Sequence, residues 1–221
     1  NIILKKKKVS LYESRNTAIK KANGEFLAFL DVDDEWFPKK LNLQIKKFKD
    51  QRVGLVYGNY HTININNFFI KKKLGIKKNL PEGYILKDLL KNYCVGLLTI
   101  MIRKKFVIKD REIFRVKYNY LGDLDFVLRF SLKYKFAAIQ ESVGIYRKHD
   151  NQMQRKYYKT KSDQFTKWYK ELIFRKILGT ENNLKYYAEW ERFFSNLSLI
   201  KQKKNFNKLF KIIKYPNNIN K

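Results

Sequence analysis

Apolar and polar positions along this chain follow two periods, and the switches between them mark the elements. Residues 1–4 read as a short strand and residues 5–8 as a solvated connection. Ser14 is placed to cap a helix running through Ala18, Ile19 and Ala22, and Asn23-Gly24 to stop it, since both tolerate left-handed backbone. A strand at 26–31 follows, and Pro38 suits the first turn of a helix whose apolar positions Leu41, Ile45 and Phe48 recur at helical spacing. Strand, helix and strand with short joints predict a right-handed crossover and a mainly parallel sheet.

Residues 53–57 form the next strand pattern, with extended chain continuing over 62–70. Residues 71–83, with Pro81 and two glycines, read as a loop. A short helix is expected over 84–92 and a buried strand over 95–102. A break at 119–122 precedes an amphipathic helix carrying Phe126, Val127, Phe130 and Leu132, and the last strands fall at 136–139 and 143–146. Beyond residue 151 the pattern turns helical, with Phe165, Trp168, Tyr169, Leu172 and Ile173, then Tyr187, Trp190, Phe193, Phe194 and Leu197, then Phe206, Leu209, Phe210 and Ile213. The expected organisation is therefore an α/β domain over residues 1–150 and a helical extension over 151–221.

A hydrophobic content of 44% in 221 residues supports one sizeable core. The formal charge of +29 raises nucleic acid or an anionic membrane surface as a partner. The excess is mostly Lys and travels with abundant Asn and Ile, so compositional bias with scattered surface lysines explains it as well. Cys94 is the only cysteine, which excludes an intrachain disulfide and a four-cysteine zinc site. No apolar run approaches the ~20 residues that span a bilayer, and no signal-peptide pattern opens the chain. A cytoplasmic location is the resulting expectation.

Chemistry concentrates in three places. The strand at 26–31 ends in Asp31-Val-Asp33-Asp34, acids at the carboxyl end of a strand, where open α/β sheets bind ligands. A turn after Asp31 would let Asp31 and Asp33 converge on one hard cation, and helix capping is the competing explanation. Asp123 and Asp125 lie at a second loop-to-helix junction, where either is a candidate general base or a cap. Arg147 and His149 alternate at a strand end, in a pattern suited to gripping a diphosphate, although a lone His is more often a packed or surface residue.

Together these segments resemble the family 2 glycosyltransferases of the glycosyltransferase A fold. The resemblance rests on Ser14-Arg15-Asn16, Gly24-Glu25, the run into Asp31-Val-Asp33-Asp34-Glu-Trp36, Pro38 and Leu41, then Gly122-Asp123-Leu-Asp125, then Tyr146-Arg147-Lys-His149. It covers roughly residues 1–153 and implies an α/β fold with a mainly parallel sheet flanked by helices. It further implies that Asp33 binds a divalent cation, Mn²⁺ or Mg²⁺, and that Asp31 contacts the ribose or assists the metal. Asp34 would support both, Asp123 would deprotonate the acceptor hydroxyl, Arg147 and His149 would hold the diphosphate, and Arg15 would lie near the nucleotide. The implied reaction moves a hexosyl group from a nucleotide-diphosphate sugar to a saccharide or lipid-linked hydroxyl, with inversion, in cell-surface polysaccharide or lipopolysaccharide synthesis. The cationic helical tail could then lie against the inner face of the membrane.

Two departures accompany the resemblance. Many family members carry Glu-Asp where this chain has Gly122-Asp123. The strand, helix and strand that open the family, ending near Asp-Asp-Gly-Ser, do not precede Asn1, so an amino-terminally incomplete catalytic domain is expected. The alternatives are a degenerate, inactive transferase and a non-catalytic basic protein that would hold nucleic acid or an anionic membrane, using aromatics such as Tyr157-Tyr158 and Trp168-Tyr169.

Overall fold

The structure, a computed structural model, describes residues 7–64, 73–74, 79–109, 113–149 and 158–174. The strand expected at 1–4, the extended chain at 65–70 and the helices beyond residue 174 lie outside the described residues. The chain divides into two compact units, residues 1–150 and 151–221.

The first unit opens with helix α1 (Leu11–Lys21), which starts four residues earlier than Ser14 predicts. Ser10 is the cap, its Oγ accepting from the Glu13 backbone N–H at 3.2 Å. The pattern Ser10-Leu-Tyr-Glu13 carries this signal, and Ser14 instead donates its hydroxyl to the Ser10 carbonyl at 3.1 Å. After α1 come strand β1 (Phe26–Ala28), strand β2 (Glu35–Trp36), helix α2 (Lys40–Lys47), strand β3 (Val53–Asn64) and strand β4 (Lys73–Leu74). Helix α3 (Leu86–Lys91), a 3-10 turn at Leu97–Thr99, strand β5 (Met101–Arg103), helix α4 (Gly122–Ser131) and strand β6 (Lys135–Lys148) complete the unit. The buried strand expected over 95–102 is thus a short strand that follows a turn.

The sheet order is β1-β5-β3-β6-β2, with β4 on β3. The α/β class holds, but the sheet is mixed rather than mainly parallel. Among the described residues β3 and β6 pair in parallel, whereas β1–β5, β3–β5, β3–β4 and β2–β6 are antiparallel. Since β1 and β3 both oppose β5, they run parallel to each other. The crossover through α2 therefore exists, with a later strand inserted between its two ends. Hydrophobic period reports strands but not which of them pair, so this insertion has no local signature.

The two strands expected at 136–139 and 143–146 are one continuous strand. β6 follows β3 along its length, with register irregularities around Asn59. There the Asn59 amide donates to the Gln140 carbonyl at 2.5 Å, bridging the irregularity from the side. Leu55, Val56 and Tyr57 on β3 and Phe136 and Ala138 on β6 are almost wholly buried, so this pair forms the centre of the core.

Of the expected apolar positions of helix α2, only Phe48 is buried. Leu41 and Ile45 are 40% and 48% exposed, while Lys40, Gln44 and Phe48, also four residues apart, are buried. The buried amide is satisfied by backbone: Gln44 Nε2 donates to Val56 O at 3.2 Å and Thr99 O at 2.6 Å. Lys40 Nζ donates to Gln44 Oε1 at 2.7 Å and sits 4.1 Å from the centre of the Trp36 ring. Burial lowers this ammonium to about 7.

In the second unit, residues 158–174 form helix α5, with Phe165 and Trp168 buried and their rings 5.2 Å apart. No helix among the described residues is long and apolar enough to cross a membrane.

Candidate active site

The acidic segment is a tight turn between β1 and β2, closed by the Asp34 N–H donating to the Asp31 carbonyl at 3.1 Å. β2 then pairs with β6, Glu35 opposite Ile145 and Trp36 opposite Gly144. Continuing this antiparallel register by two residues sets Asp33 across from Arg147. Two further anchors hold β2 in place. The Trp36 indole donates to Leu98 O at 2.8 Å, and the Phe37 N–H donates to Val143 O at 2.9 Å.

Three carboxylates therefore meet three different partners. Asp31 is ion-paired with Arg15 of α1. Asp33 Oδ2 lies 2.9 Å from His149 Nε2. Asp34 Oδ1 accepts from the Arg147 backbone N–H at 3.1 Å, and the Arg147 guanidinium bonds to the Asp33 carbonyl at 3.4 Å and to the Glu35 carboxylate. Every member of this cluster except Glu35 stands out in the sequence; Glu35 reads locally as one more exposed acid and becomes visible only through the β2–β6 register. Asp31 and Asp33 do not share a partner, and no group of three or more His, Cys, Asp or Glu side chains arranged to hold a metal ion occurs among the described residues.

Asp34 is 9% exposed, and burial raises its carboxyl to about 6, opposed by the Arg147 N–H and reinforced by the charges of Asp33 and Asp31. Its folded pKa lies above the unfolded value, so the native state binds the proton more tightly. The resulting stability is fully present below the unfolded pKa and is lost as pH rises from about 4 through about 6, on the order of 3 kcal/mol in all. Asp34→Asn keeps an oxygen acceptor for Arg147 and removes the titration. Chemical denaturation across pH 4 to 7 is expected to show the variant more stable than wild type above pH 6, with a flatter profile; parallel profiles would exclude this origin.

The candidate base lies at the first turn of α4. Asp123 is partly exposed, and its Oδ1 accepts from the Leu124 N–H at 2.9 Å. Asp125 is fully buried between two guanidiniums, with Arg129 Nε at 2.9 Å and Arg115 Nη1 at 3.5 Å. The two candidates thus differ in setting: Asp125 is buried between guanidiniums, and Asp123 is the one that solvent reaches.

Helix α1 joins the two acidic sites. Its buried stripe is Tyr12, Asn16 and Ile19, and Asn16 is bonded on both sides of its amide to the Phe114 backbone, at 2.7 Å and 3.0 Å. Arg15 faces Asp31, while Tyr12, one turn earlier, donates its hydroxyl to Asp123 Oδ1 at 3.3 Å. The local sequence gives one sign of Tyr12, its spacing of three from Arg15 on a helix. Gly122, where the resemblance predicts an acid, gives its space to the Tyr12 ring.

The α/β sheet thus carries an Asp-x-Asp-Asp turn held by remote Arg and His residues, and a carboxylate at a second helix start. The sequence model described as "Glycosyl transferase family 2" matches residues 1–110, and this part of the chain belongs to that family. UDP-Glc:alpha-D-GlcNAc-diphosphoundecaprenol beta-1,3-glucosyltransferase WfgD of Escherichia coli is 40% identical over 89 residues, 40% of this chain and 33% of that protein. Amylovoran biosynthesis glycosyltransferase AmsB of Erwinia amylovora is 28% identical over 155 residues, 66% of this chain and 50% of that protein. The chain thus spans between a third and a half of the length of these curated relatives. A crystal structure of S. aureus TarS 1-349 in complex with UDP aligns with a TM-score of 0.49 and 16% identity, over 71% of this chain and 45% of that one.

Proposed function

We propose that this chain carries the donor site and base of a metal-dependent, inverting glycosyltransferase that moves a hexosyl group from a UDP-sugar to a saccharide or lipid-linked hydroxyl. The observation that carries the reading is the union of Asp31, Asp33 and Asp34 with Arg15, Arg147 and His149, in which directly bonded partners are up to 116 residues apart in sequence. The printed function of WfgD, a UDP-Glc transferase to a diphosphoundecaprenol-linked sugar, supports the donor and acceptor classes. The name of AmsB supports a place in polysaccharide synthesis.

Asp33 offers a part-exposed carboxylate, a hard oxygen donor that suits Mn²⁺ or Mg²⁺ when diphosphate oxygens and water supply remaining positions, and His149, its Nε2 2.9 Å from Asp33 Oδ2, would hold the diphosphate with Arg147. Asp31 is the nearby carboxylate that could join Asp33 at the cation. When bound, the cation would neutralise charge on the departing diphosphate. The chain's own contribution is cationic as well: Arg147 is held at the acidic turn, and Arg15 stands at its other end. Asp123 would take the proton from the acceptor hydroxyl, and attack opposite the leaving group would invert the anomeric centre. A cytoplasmic location, peripheral at the inner face of an anionic membrane, fits a lipid-linked acceptor and the charge of +29.

The test is a thermal-shift series with UDP, GDP, CDP and dTDP, each with and without Mn²⁺. At a hundredfold excess over Kd a ligand that binds only the folded state adds about 2.7 kcal/mol. UDP is expected to raise Tm in a metal-dependent way in wild type and not in Asp33→Asn. Absence of any metal-dependent shift, or an equal shift in both proteins, would sink the reading.

A further inference from the structure

Tyr12 is a buried phenol that the donor site does not use, and its position is fixed from three sides. Its ring stacks on Phe114 with centroids 5.4 Å apart and planes at 22°. The Arg15 guanidinium lies 5.4 Å from the ring centre. On the third side is Gly122, where a Cβ would stand 2.7 Å from ring atoms Cε2 and Cζ. At the first position of α4 helix propensity favours Ala over Gly, so the glycine answers to the ring rather than to the helix.

So placed, the hydroxyl engages Asp123 twice. It donates to Oδ1 at 3.3 Å and accepts from the Asp123 backbone N–H at 3.3 Å. The Leu124 N–H donates to the same Oδ1 at 2.9 Å. The hydrogen bonds described for this carboxylate thus fall on Oδ1 and leave Oδ2. Burial, with the Asp123 charge adding to it, raises the phenol far above its ordinary range, so it stays a donor.

We propose that Tyr12 is a positioning residue for the base: its phenol locks the Asp123 carboxylate so that Oδ2 receives the acceptor's proton, and Gly122 is the space this device requires. The inference rests on the reading of Asp123 as the base. In the step it serves, the acceptor O–H bond breaks and its proton passes to Oδ2. The acceptor oxygen bonds to the anomeric carbon, and the bond from that carbon to the diphosphate oxygen breaks, its electron pair leaving on the nucleoside diphosphate.

Tyr12→Phe keeps the ring and removes the donor. With a UDP-hexose donor, kcat is expected to fall about tenfold with the donor KM within about twofold, because orientation is lost and donor binding is not. The acid limb of the kcat profile should move up by about 0.5 to 1 pH unit, since a carboxylate deprived of a donor holds its proton more tightly. A carboxyl ¹³C titration of Asp123 should show the same upward move without any turnover being measured. Gly122→Ala, which displaces the ring, should reproduce the kinetic change in wild type and add nothing in Tyr12→Ala, where the ring is gone. Unchanged kcat and an unmoved acid limb in Tyr12→Phe, while Asp123→Asn is inactive, would overturn the positioning role and leave the base in place. Full turnover in Asp123→Asn would overturn both.

Discussion

Asp123→Asn is expected to lower kcat by about 10² to 10⁴-fold while leaving the metal-dependent UDP shift in Tm intact, because an amide keeps the shape of the side chain and cannot accept the acceptor's proton. The amide oxygen can still take the hydrogen bonds from Tyr12 and the Leu124 N–H, so α4 should begin as before. Asp125→Asn is the internal control. It leaves Arg115 and Arg129 facing a neutral group inside the fold, and removing one partner of a buried ion pair costs about 3–5 kcal/mol. Its signature should be a lowered Tm, with kcat per folded molecule little changed. Two acids two residues apart would thus separate into a chemical role and a structural one, read by kinetics for the first and by denaturation for the second. Loss of folding in Asp123→Asn, or loss of turnover without loss of stability in Asp125→Asn, would reverse the assignment.

The site was more legible than the sheet because the two depend on different information. Asp31, Asp33, Asp34, Asp123, Arg147 and His149 each sit at the end of a local pattern, a strand running into acids or a break before a helix, and such patterns are written in consecutive residues. Pairing partners are not. β5 lies between β1 and β3 although it comes after both, so a crossover that implies a mainly parallel sheet ends as a mixed one. Glu35 joins the site through the β2–β6 register, which no neighbour in sequence announces.

Two other departures have separate causes. Periodicity assumes that an inward face is apolar, yet α2 buries Lys40 and Gln44, whose polar ends are satisfied there: Lys40 donates to Gln44, and Gln44 donates to the Val56 and Thr99 carbonyls. Tyr12 escapes for a different reason: a helix capped at Ser14 leaves residue 12 outside, whereas the cap is Ser10 and Tyr12 lies on the first turn. Hydropathy also averages over a side chain, and Lys40 and Tyr12 each work through one polar atom at the end of an apolar stem.

Gly144→Ala tests the claim that the β2–β6 pair builds the site. A Cβ at residue 144 would lie 2.5 Å from the Glu35 carbonyl oxygen and 2.9 Å from Leu98 Cδ1. The first contact is with backbone and cannot be relieved by a rotamer change, and Leu98 is held by the Trp36 indole bonded to its carbonyl. β2 is only two residues long, so the easiest relief is for it to part from β6. That movement would break the Phe37 bond to Val143 and carry the acidic turn away from Arg147 and His149. Overpacking of this kind costs 1–3 kcal/mol, and each lost hydrogen bond adds about 1 kcal/mol, so a loss of about 3 kcal/mol or more is expected. In a chain of this size that lowers Tm by roughly 6–12 °C. The more telling result is at the site. UDP affinity in the presence of Mn²⁺ should fall by at least about tenfold in a protein that still unfolds cooperatively, although residue 144 carries no group that could touch the nucleotide. A variant with wild-type Tm and wild-type UDP affinity would mean that the acidic turn is held by something other than this strand pair.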